Sequence, residues 1–289
     1  MEVSLLHNPK AGDGDWSPDR LIRLLEMSGF APVHSSTKAK DLDQALEDPH
    51  KLVAIAGGDG TVAGIIRALH GRRHVIAILP TGSSNNIART LGLNEELRFI
   101  VAGLAQAKRT PLWIGFIEGP LWRRSFVEAV GLGPFAEAIK ADAGDKEHGS
   151  HLLQDRREDL RRIVAGCKPI EASIAVDGKR LTEPVLMAEV MNIPMIGPNL
   201  LLAPEADARE EKLVLAYLPE SRRKAMLRWL KDPEAAGSPL KRIRADKVEL
   251  HPQGGIVHID DTVVDGGEAT LTIGVESKPV IILIPGDDE

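Results

Sequence analysis

The sequence predicts an α/β domain with a parallel sheet over residues 1–107, followed by a mostly antiparallel, β-rich domain over residues 108–289. In the first hundred residues, short apolar runs alternate with helical patterns, and the runs lack inside–outside alternation. Strands of this kind are typical of a parallel sheet that helices cover on both faces. After about Lys108, strand-like segments follow one another with few helices between them, which is typical of a β-sandwich.

The first domain is expected to alternate four strands with four helices. Pro18 occupies a favoured first helical position. Apolar residues between Val62 and Leu69 recur at i, i+3, i+4 and i+7, which marks one face of a helix. The predicted strands cover residues 3–7, 32–34, 52–56 and 75–79, and the predicted helices begin at Pro18 and cover residues 41–46, 62–69 and 95–106.

The second domain is expected to consist mainly of short strands. Asp177-Gly178 lies between two of them and is a hairpin signal. Helices are expected only at residues 152–164 and 222–230, and a last strand at residues 280–283 could pack on either domain. The other predicted strands cover residues 125–130, 170–176, 185–192, 213–218, 248–251, 256–259 and 270–275.

Composition narrows the classes of function. The chain of 289 residues is 43% hydrophobic and 27% charged, which is ordinary for a soluble globular protein. Its formal charge of −6 gives no sign of a surface for nucleic acid. A single cysteine, Cys167, fits a reducing compartment. Since there is no secretion-signal pattern and no apolar run of about 20 residues, we expect a cytoplasmic protein whose only membrane contact is peripheral.

The glycine-rich turn Gly57-Gly58-Asp59-Gly60-Thr61 follows a predicted buried strand and opens a helix. Glycines let backbone N–H groups approach a phosphate closely, and a helix N-terminus adds partial positive charge. A carboxylate beside a phosphate is repelled unless it binds Mg²⁺ or accepts a proton, so Asp59 indicates a phosphoryl-transfer site. The alternative is a tight turn in which Asp59 only caps the helix.

A second loop, residues 80–86, follows the next predicted strand. Its hydroxyl and amide side chains could donate hydrogen bonds to phosphate oxygens, and Arg89 follows one helical turn later. A plain capped loop would look similar. Ligands in open α/β sheets bind outside the carboxyl ends of the strands, so we expect the two loops to lie together. The turn at residues 8–14 is expected to form a third wall of the same site.

The chain has no G-x-x-x-x-G-K-[ST] segment, which excludes a P-loop enzyme.

Together these motifs resemble the diacylglycerol kinase catalytic-domain family, which includes sphingosine and ceramide kinases and bacterial lipid kinases. Residues 8–12 match its N-P-x-[SA]-G opening, and residues 57–61 match its G-G-D-G-T motif. Residues 80–90 resemble its P-x-G-T-x-N-D-x-A-R segment. The resemblance implies a Rossmann-like, nucleotide-binding first domain and a β-sandwich second domain for the lipid. It also implies an ATP and Mg²⁺ site in the cleft between the two domains.

The same resemblance implies roles for individual residues. Asp59 is the candidate catalytic residue, either as a metal ligand or as a general base. The candidate magnesium ligands are Asp59, Asp260 and Asp261. The candidate nucleotide-binding residues are Asn8, Lys10, Gly12, Gly57, Gly58, Gly60, Thr61, Gly82, Ser83, Ser84, Asn85 and Arg89.

The chain departs from the family pattern at three acidic positions, which Asn86, Trp113 and Thr262 occupy. Loss of a positioned base typically lowers a rate ~10² to 10⁴-fold. We therefore consider an ATP-dependent kinase acting on a hydroxyl of a lipid or amphipathic small molecule, and a nucleotide-binding protein without turnover. A third hypothesis is an NAD kinase, because G-G-D-G-T also occurs in that family.

Overall fold

The structure is a computed structural model that describes residues 1–12, 14–144 and 153–286. The chain forms two compact units: unit 1 contains Met1–Leu112 and Lys278–Glu289, and unit 2 contains Trp113–Ser277. The boundary therefore lies a few residues after the one drawn from the sequence at residue 107. It shifts because strand β5 (Lys108–Leu112) pairs with strand β20 (Val280–Ile284) inside unit 1.

Unit 1 is built on one six-stranded sheet with the order β2-β1-β3-β4-β20-β5. Every neighbouring pair is parallel except β20 and β5, which are antiparallel. The sequence left the position of the last strand open, and the structure places it between β4 and β5. The first four strands are β1 (Glu2–His7), β2 (Ala31–Ser36), β3 (Leu52–Gly57) and β4 (Val75–Pro80).

Among the described residues of unit 1, five α-helices accompany this sheet. The Ser17 side chain accepts a hydrogen bond from the Arg20 amide at 3.3 Å and so caps the first helix. Leu21 and Leu25 of that helix are buried against the sheet. The predicted helix at residues 95–106 is shorter as an α-helix, because a 3₁₀ turn follows it. The helices are α1 (Pro18–Met27), α2 (Ala39–Glu47), α3 (Asp59–Leu69), α4 (Asn86–Thr90) and α5 (Leu97–Gly103).

Unit 2 contains two six-stranded antiparallel sheets. The first has the order β10-β9-β16-β19-β6-β7, and the second has the order β15-β14-β11-β8-β17-β18. Ile117 and Ile273 from the first sheet and Val130 and Val190 from the second lie in one buried cluster. The two sheets therefore pack face to face, and the predicted α/β plus β-sandwich fold class is confirmed.

The strands of the first sandwich sheet are β6 (Gly115–Glu118), β7 (Arg123–Phe126), β9 (Ala172–Val176), β10 (Lys179–Arg180), β16 (Val248–Pro252) and β19 (Leu271–Val275). Those of the second are β8 (Ala129–Leu132), β11 (Val185–Met191), β14 (Leu213–Pro219), β15 (Lys241–Ala245), β17 (Ile256–Ile259) and β18 (Thr262–Asp265). A separate two-stranded pair is formed by β12 (Met195–Ile196) and β13 (Leu200–Leu201).

The helices of unit 2 are α6 (Pro134–Gly144), α7 (Leu153–Gly166) and α8 (Arg223–Trp229). The prediction of only two helices in this half is wrong, because α6 also forms and packs against β8 and β17. Its first residue is Pro134, which is favoured at a helix start. Within the described residues, no helix has both the length and the apolar character that crossing a bilayer requires.

The prediction of a single strand over residues 125–130 is also wrong. The chain leaves the first sandwich sheet after Phe126 and enters the second at Ala129. Between these residues, the backbone amides of Val127 and Glu128 donate to the carboxylate of Asp260, at 3.0 and 2.8 Å to Oδ1. These two amides are therefore not available to continue a strand ladder.

Candidate functional site

Three loops meet at the carboxyl ends of β1, β3 and β4 in unit 1. The Asn8 side-chain amide donates to Thr61 Oγ1 at 2.8 Å, which joins the first loop to the glycine-rich turn. The Thr81 backbone amide donates to the Gly57 carbonyl at 3.2 Å, which joins that turn to the second loop. The structure therefore brings together the three sequence segments that the motifs singled out; Asp13, in the first of them, lies outside the described residues.

Glycines are required where these loops touch. A Cβ atom on Gly82 would lie 2.4 Å from the Cα atom of Gly58, and one on Gly12 would lie 2.3 Å from the Thr81 carbonyl oxygen. Gly12 also has a φ angle of +63°, which other residues rarely adopt. The backbones of all three loops thus approach one another more closely than any side chain would allow.

Asp59 is the first residue of α3, and its carboxylate reaches across to α4. Its Oδ1 accepts a hydrogen bond from the Ile87 amide at 2.9 Å, and the amides of Asn85 and Asn86 also stabilise the carboxylate. The Asn85 side chain makes no capping hydrogen bond to α4, so Asp59 supplies that cap. Burial raises the pKa of Asp59, and the amide hydrogen bonds oppose this shift without cancelling it.

The second loop is held in place by its own side chains. Asn85 has a φ angle of +52°, and its side chain exchanges two hydrogen bonds with the Gly82 backbone, at 3.0 and 2.7 Å. Arg89 Nε donates to the Ser84 carbonyl at 3.1 Å. Ser83 and Arg89 are exposed, as is Lys10 of the first loop. The loop is therefore ordered, with polar and cationic side chains at its surface.

The donors of this site suit a polyphosphate. The first-turn amides of α3 lack partners within the helix, and the three glycines of the loop contacts place no Cβ over the adjoining backbone. Thr81 is buried, and its hydroxyl has no hydrogen-bond partner among the described residues. Thr81 belongs to the second loop, whose hydroxyl side chains the sequence predicts as phosphate donors, although no motif singles out Thr81 itself among the candidate nucleotide-binding residues.

The three-loop site offers few carboxylates that could bind a metal ion. In the part of the chain that the structure describes, no three His, Cys, Asp or Glu side chains are grouped to hold an ion. Proteins often bind Mg²⁺ through one or two carboxylates together with substrate phosphates and water. The single carboxylate of Asp59 fits that limited role.

Asp260 and Asp261 lie on the turn between β17 and β18 in unit 2. Asp260 is buried, and its carboxylate accepts hydrogen bonds from the backbone at the crossing from β7 to β8. Asp261 is exposed. A metal bound by Asp260 would compete with those amides. The magnesium role of both residues stays a prediction.

A buried acid–base pair in unit 2 was not expected from the sequence. His258 Nε2 lies 2.5 Å from Glu189 Oε2, and both side chains are fully buried. Burial raises the pKa of Glu189 despite its partner. Burial lowers the pKa of His258, but the Glu189 carboxylate outweighs this effect and the net shift is upward. The pairing joins β11 to β17 across β8, whose Gly131 leaves the space for the carboxylate.

Comparison with known proteins gives a family match over the first part of the chain. Residues 2–117 match the family model of the diacylglycerol kinase catalytic domain. A diacylglycerol kinase of Bacillus subtilis is 23% identical over 233 residues, which cover 75% of this chain and 73% of that protein. The match to the family model contains all three loops of the site.

Two solved structures share the fold. A diacylglycerol kinase from Bacillus anthracis has a TM-score of 0.72 at 16% identity, covering 98% of this chain and 96% of that one. An NAD kinase from Archaeoglobus fulgidus, solved in complex with ATP, has a TM-score of 0.56 at 15% identity, covering 99% and 94%. The resemblance predicted from the motifs is thus confirmed: this chain is similar to the diacylglycerol kinases in fold, and its residues 2–117 match the catalytic domain of that family.

Proposed function

We propose that this protein transfers a phosphoryl group from ATP to a hydroxyl group of a lipid or amphipathic small molecule. The observation that carries the proposal is the close contact of Gly12, Gly58 and Gly82 with neighbouring loop backbone at the ends of three parallel strands. Loops of this kind bind phosphates through backbone amides. The match of residues 2–117 to a kinase family supports the same reaction class.

The three loops share the binding of the nucleotide phosphates in this proposal. Backbone amides of residues 57–61 and 82–85 donate to phosphate oxygens, and the unpartnered hydroxyl of Thr81 adds a further donor. Exposed Lys10 and Arg89 supply positive charge. When bound, Mg²⁺ would neutralise charge on the phosphates, with Asp59 as the candidate protein ligand.

Asp59 is also the candidate general base, which accepts the proton of the attacking hydroxyl. The raised pKa of this buried carboxyl group makes it a stronger base than an exposed aspartate. The backbone amides of residues 85–87 already donate to this carboxylate, so it accepts the proton in competition with them. Asn86 and Trp113 occupy two positions that are acidic in the family. Asp59 therefore acts without those two carboxylates, and we expect slow turnover.

The loop contact is tested by Gly82→Ala. The added Cβ would meet the Gly58 Cα at 2.4 Å, so the two loops must separate. Overpacking of this kind typically costs ~1–3 kcal/mol, and we expect the affinity for ATP in calorimetric titration to fall about tenfold or more. Gly64→Ala is the matched control, because a Cβ at this position of α3 would find its nearest neighbouring atom at 4.0 Å. Unchanged ATP affinity in Gly82→Ala would contradict the proposed site.

The second candidate is a nucleotide-binding protein without turnover. It is favoured by Asn86 and Trp113 at family acidic positions and by the amides that already occupy the Asp59 carboxylate. Transfer of radiolabelled phosphate from ATP to diacylglycerol, sphingosine and ceramide in mixed micelles, and to NAD, separates the candidates. Label on a lipid supports the lipid kinase, label on NAD alone supports an NAD kinase, and ATP binding without any transfer supports the binding protein.

A further inference from the structure

The hairpin between β6 and β7 in unit 2 exposes an apolar tip. Leu121 is 97% exposed, the highest value of any large apolar side chain among the described residues. It follows exposed Pro120 and precedes half-buried Trp122. Burying a leucine side chain is worth ~1.5–3 kcal/mol, so this residue is placed where folding of the chain gains nothing from it.

The tip is held in a fixed conformation. The Gly119 amide donates to the Trp122 carbonyl at 2.9 Å, which closes the turn. The Trp122 ring packs against the sandwich core, and its Nε1 lies 3.0 Å from the position a Cβ on Gly119 would take. Leu121 is therefore exposed at the tip of an ordered turn.

Two arginines follow the tip directly. Arg123 donates to Glu276 Oε2 at 2.8 Å and to Glu118 Oε2 at 3.3 Å, and its guanidinium lies 3.8 Å from the centre of the Phe116 ring. These contacts stabilise the base of the hairpin. Arg124 is exposed, and its guanidinium has no hydrogen bond or ion pair with another described residue. Arg124 thus offers an unpaired cation three residues after the exposed Leu121 and two residues after Trp122.

We propose that this hairpin, residues 119–124, inserts Leu121 into the surface of a bilayer that contains anionic lipids, with Arg124 against the headgroups. Tryptophan is enriched at the membrane–water interface, and a basic residue near an anionic surface contributes favourably. The inference rests on the proposed function, because a kinase of bilayer lipids must reach its acceptor at a membrane. A protein partner fits less well, since specific interfaces typically bury about 800 Å² on each side and the tip offers one leucine.

Vesicle sedimentation tests the proposal on the full chain without ATP. Wild-type protein should partition onto vesicles of phosphatidylglycerol and phosphatidylcholine, and more weakly onto phosphatidylcholine alone. Leu121→Ser should lower the partition coefficient about tenfold, a change that corresponds to ~1.4 kcal/mol. Arg124→Gln should remove the preference for the anionic vesicles. Met27→Ser is the matched control, because Met27 is 85% exposed but lies on α1 of unit 1, and its partition should equal that of wild type.

Tryptophan fluorescence supplies a second measurement. Brominated lipids in the vesicles should quench part of the wild-type emission, and Trp122→Phe should remove that quenched part. The proposal is overturned by wild-type protein that does not bind vesicles, by equal loss in Met27→Ser, or by light scattering in which Leu121→Ser dissociates a dimer. ATP affinity and transfer to a water-soluble short-chain acceptor should not change in Leu121→Ser. The outcome of the vesicle experiment therefore does not depend on whether the protein proves to be a kinase.

Discussion

At the scale of single residues, Asp59 joins two parts of unit 1. It begins α3, and its carboxylate caps α4 through the Ile87 amide. The sequence supported two interpretations of this residue, a helix cap and a catalytic residue that binds magnesium or accepts a proton. The observed cap is on a different helix from the one it begins, which no local pattern could have indicated. A carboxyl group that caps α4 and also has a raised pKa is compatible with both roles.

Asp59→Asn separates the two roles. The asparagine oxygen can still accept from the Ile87 amide, so we expect stability at neutral pH to be equal to or higher than that of wild type. Phosphoryl transfer should fall at least 10²-fold, because the base and the metal ligand are lost. Both are measured on one preparation, by thermal unfolding and by the radiolabel assay. Undiminished transfer would remove Asp59 from the mechanism.

The pH dependence of stability follows from the raised pKa. The folded state holds the Asp59 proton more tightly than the unfolded chain, whose ordinary pKa is near 3.8. The contribution of this residue to stability is therefore fullest below that value and falls as the pH rises through the folded pKa. The stability of Asp59→Asn relative to wild type should increase with pH above about 4. Denaturant unfolding at a series of pH values measures this difference, and a difference that shrinks with pH would contradict it.

The buried pair of Glu189 and His258 gives a second prediction at this scale. His258→Gln removes the cation and leaves a fully buried carboxylate, which should destabilise unit 2 by ~3–5 kcal/mol. In the double variant with Glu189→Gln, this pair buries no charge, and much of that loss should be recovered. Urea unfolding at neutral pH compares the two. Equal losses in the single and double variants would show that the charge of Glu189 is not the cause.

At the scale of elements, the crossing from β7 to β8 depends on Asp260, which accepts from the Val127 and Glu128 amides. Asp260→Ala leaves these buried amides without an acceptor. Since each such loss costs ~1–3 kcal/mol, we expect unit 2 to lose about 3 kcal/mol, with faster hydrogen exchange at residues 127–129. Asp261→Ala, at the exposed neighbouring position, is the control and should behave as wild type. Wild-type exchange in Asp260→Ala would show that the crossing has another support.

The elements that the sequence predicted well are those whose side-chain pattern determines their structure. Buried parallel strands such as β3 and β4 are continuous apolar runs, and their loops carry recognisable glycines. The predicted strand at residues 125–130 failed because its apolar pattern continues while Asp260, far away in the sequence, takes its amides. Helix α6 was missed although it begins at Pro134, a residue favoured at a helix start, two residues after the end of β8. A contact between distant residues therefore decides the first case, whereas the second is a missed local signal.

At the scale of the whole molecule, unit 1 is assembled from two separate stretches of chain. Strand β20 lies between β4 and β5, so a chain ending at residue 277 would lose the neighbour of both strands. We expect this truncated chain to keep a folded unit 2 and to lose protection from hydrogen exchange in unit 1, together with ATP binding. A chain ending at residue 286 retains β20 and is the control. Normal ATP affinity in the shorter chain would show that β20 is dispensable.

The same strand sets an order of events during translation. The ribosome completes residues 1–112 early, yet their sheet lacks an inner member until residues 280–284 emerge, after all of unit 2 has been made. Since chains grow at about 5–20 residues per second, the exposed side of β4 stays open to chaperones and proteases for many seconds. On the expectation stated for the truncated chain, a protein that lacks β20 does not form the three-loop site, so the proposed nucleotide binding depends on synthesis of residues 280–284.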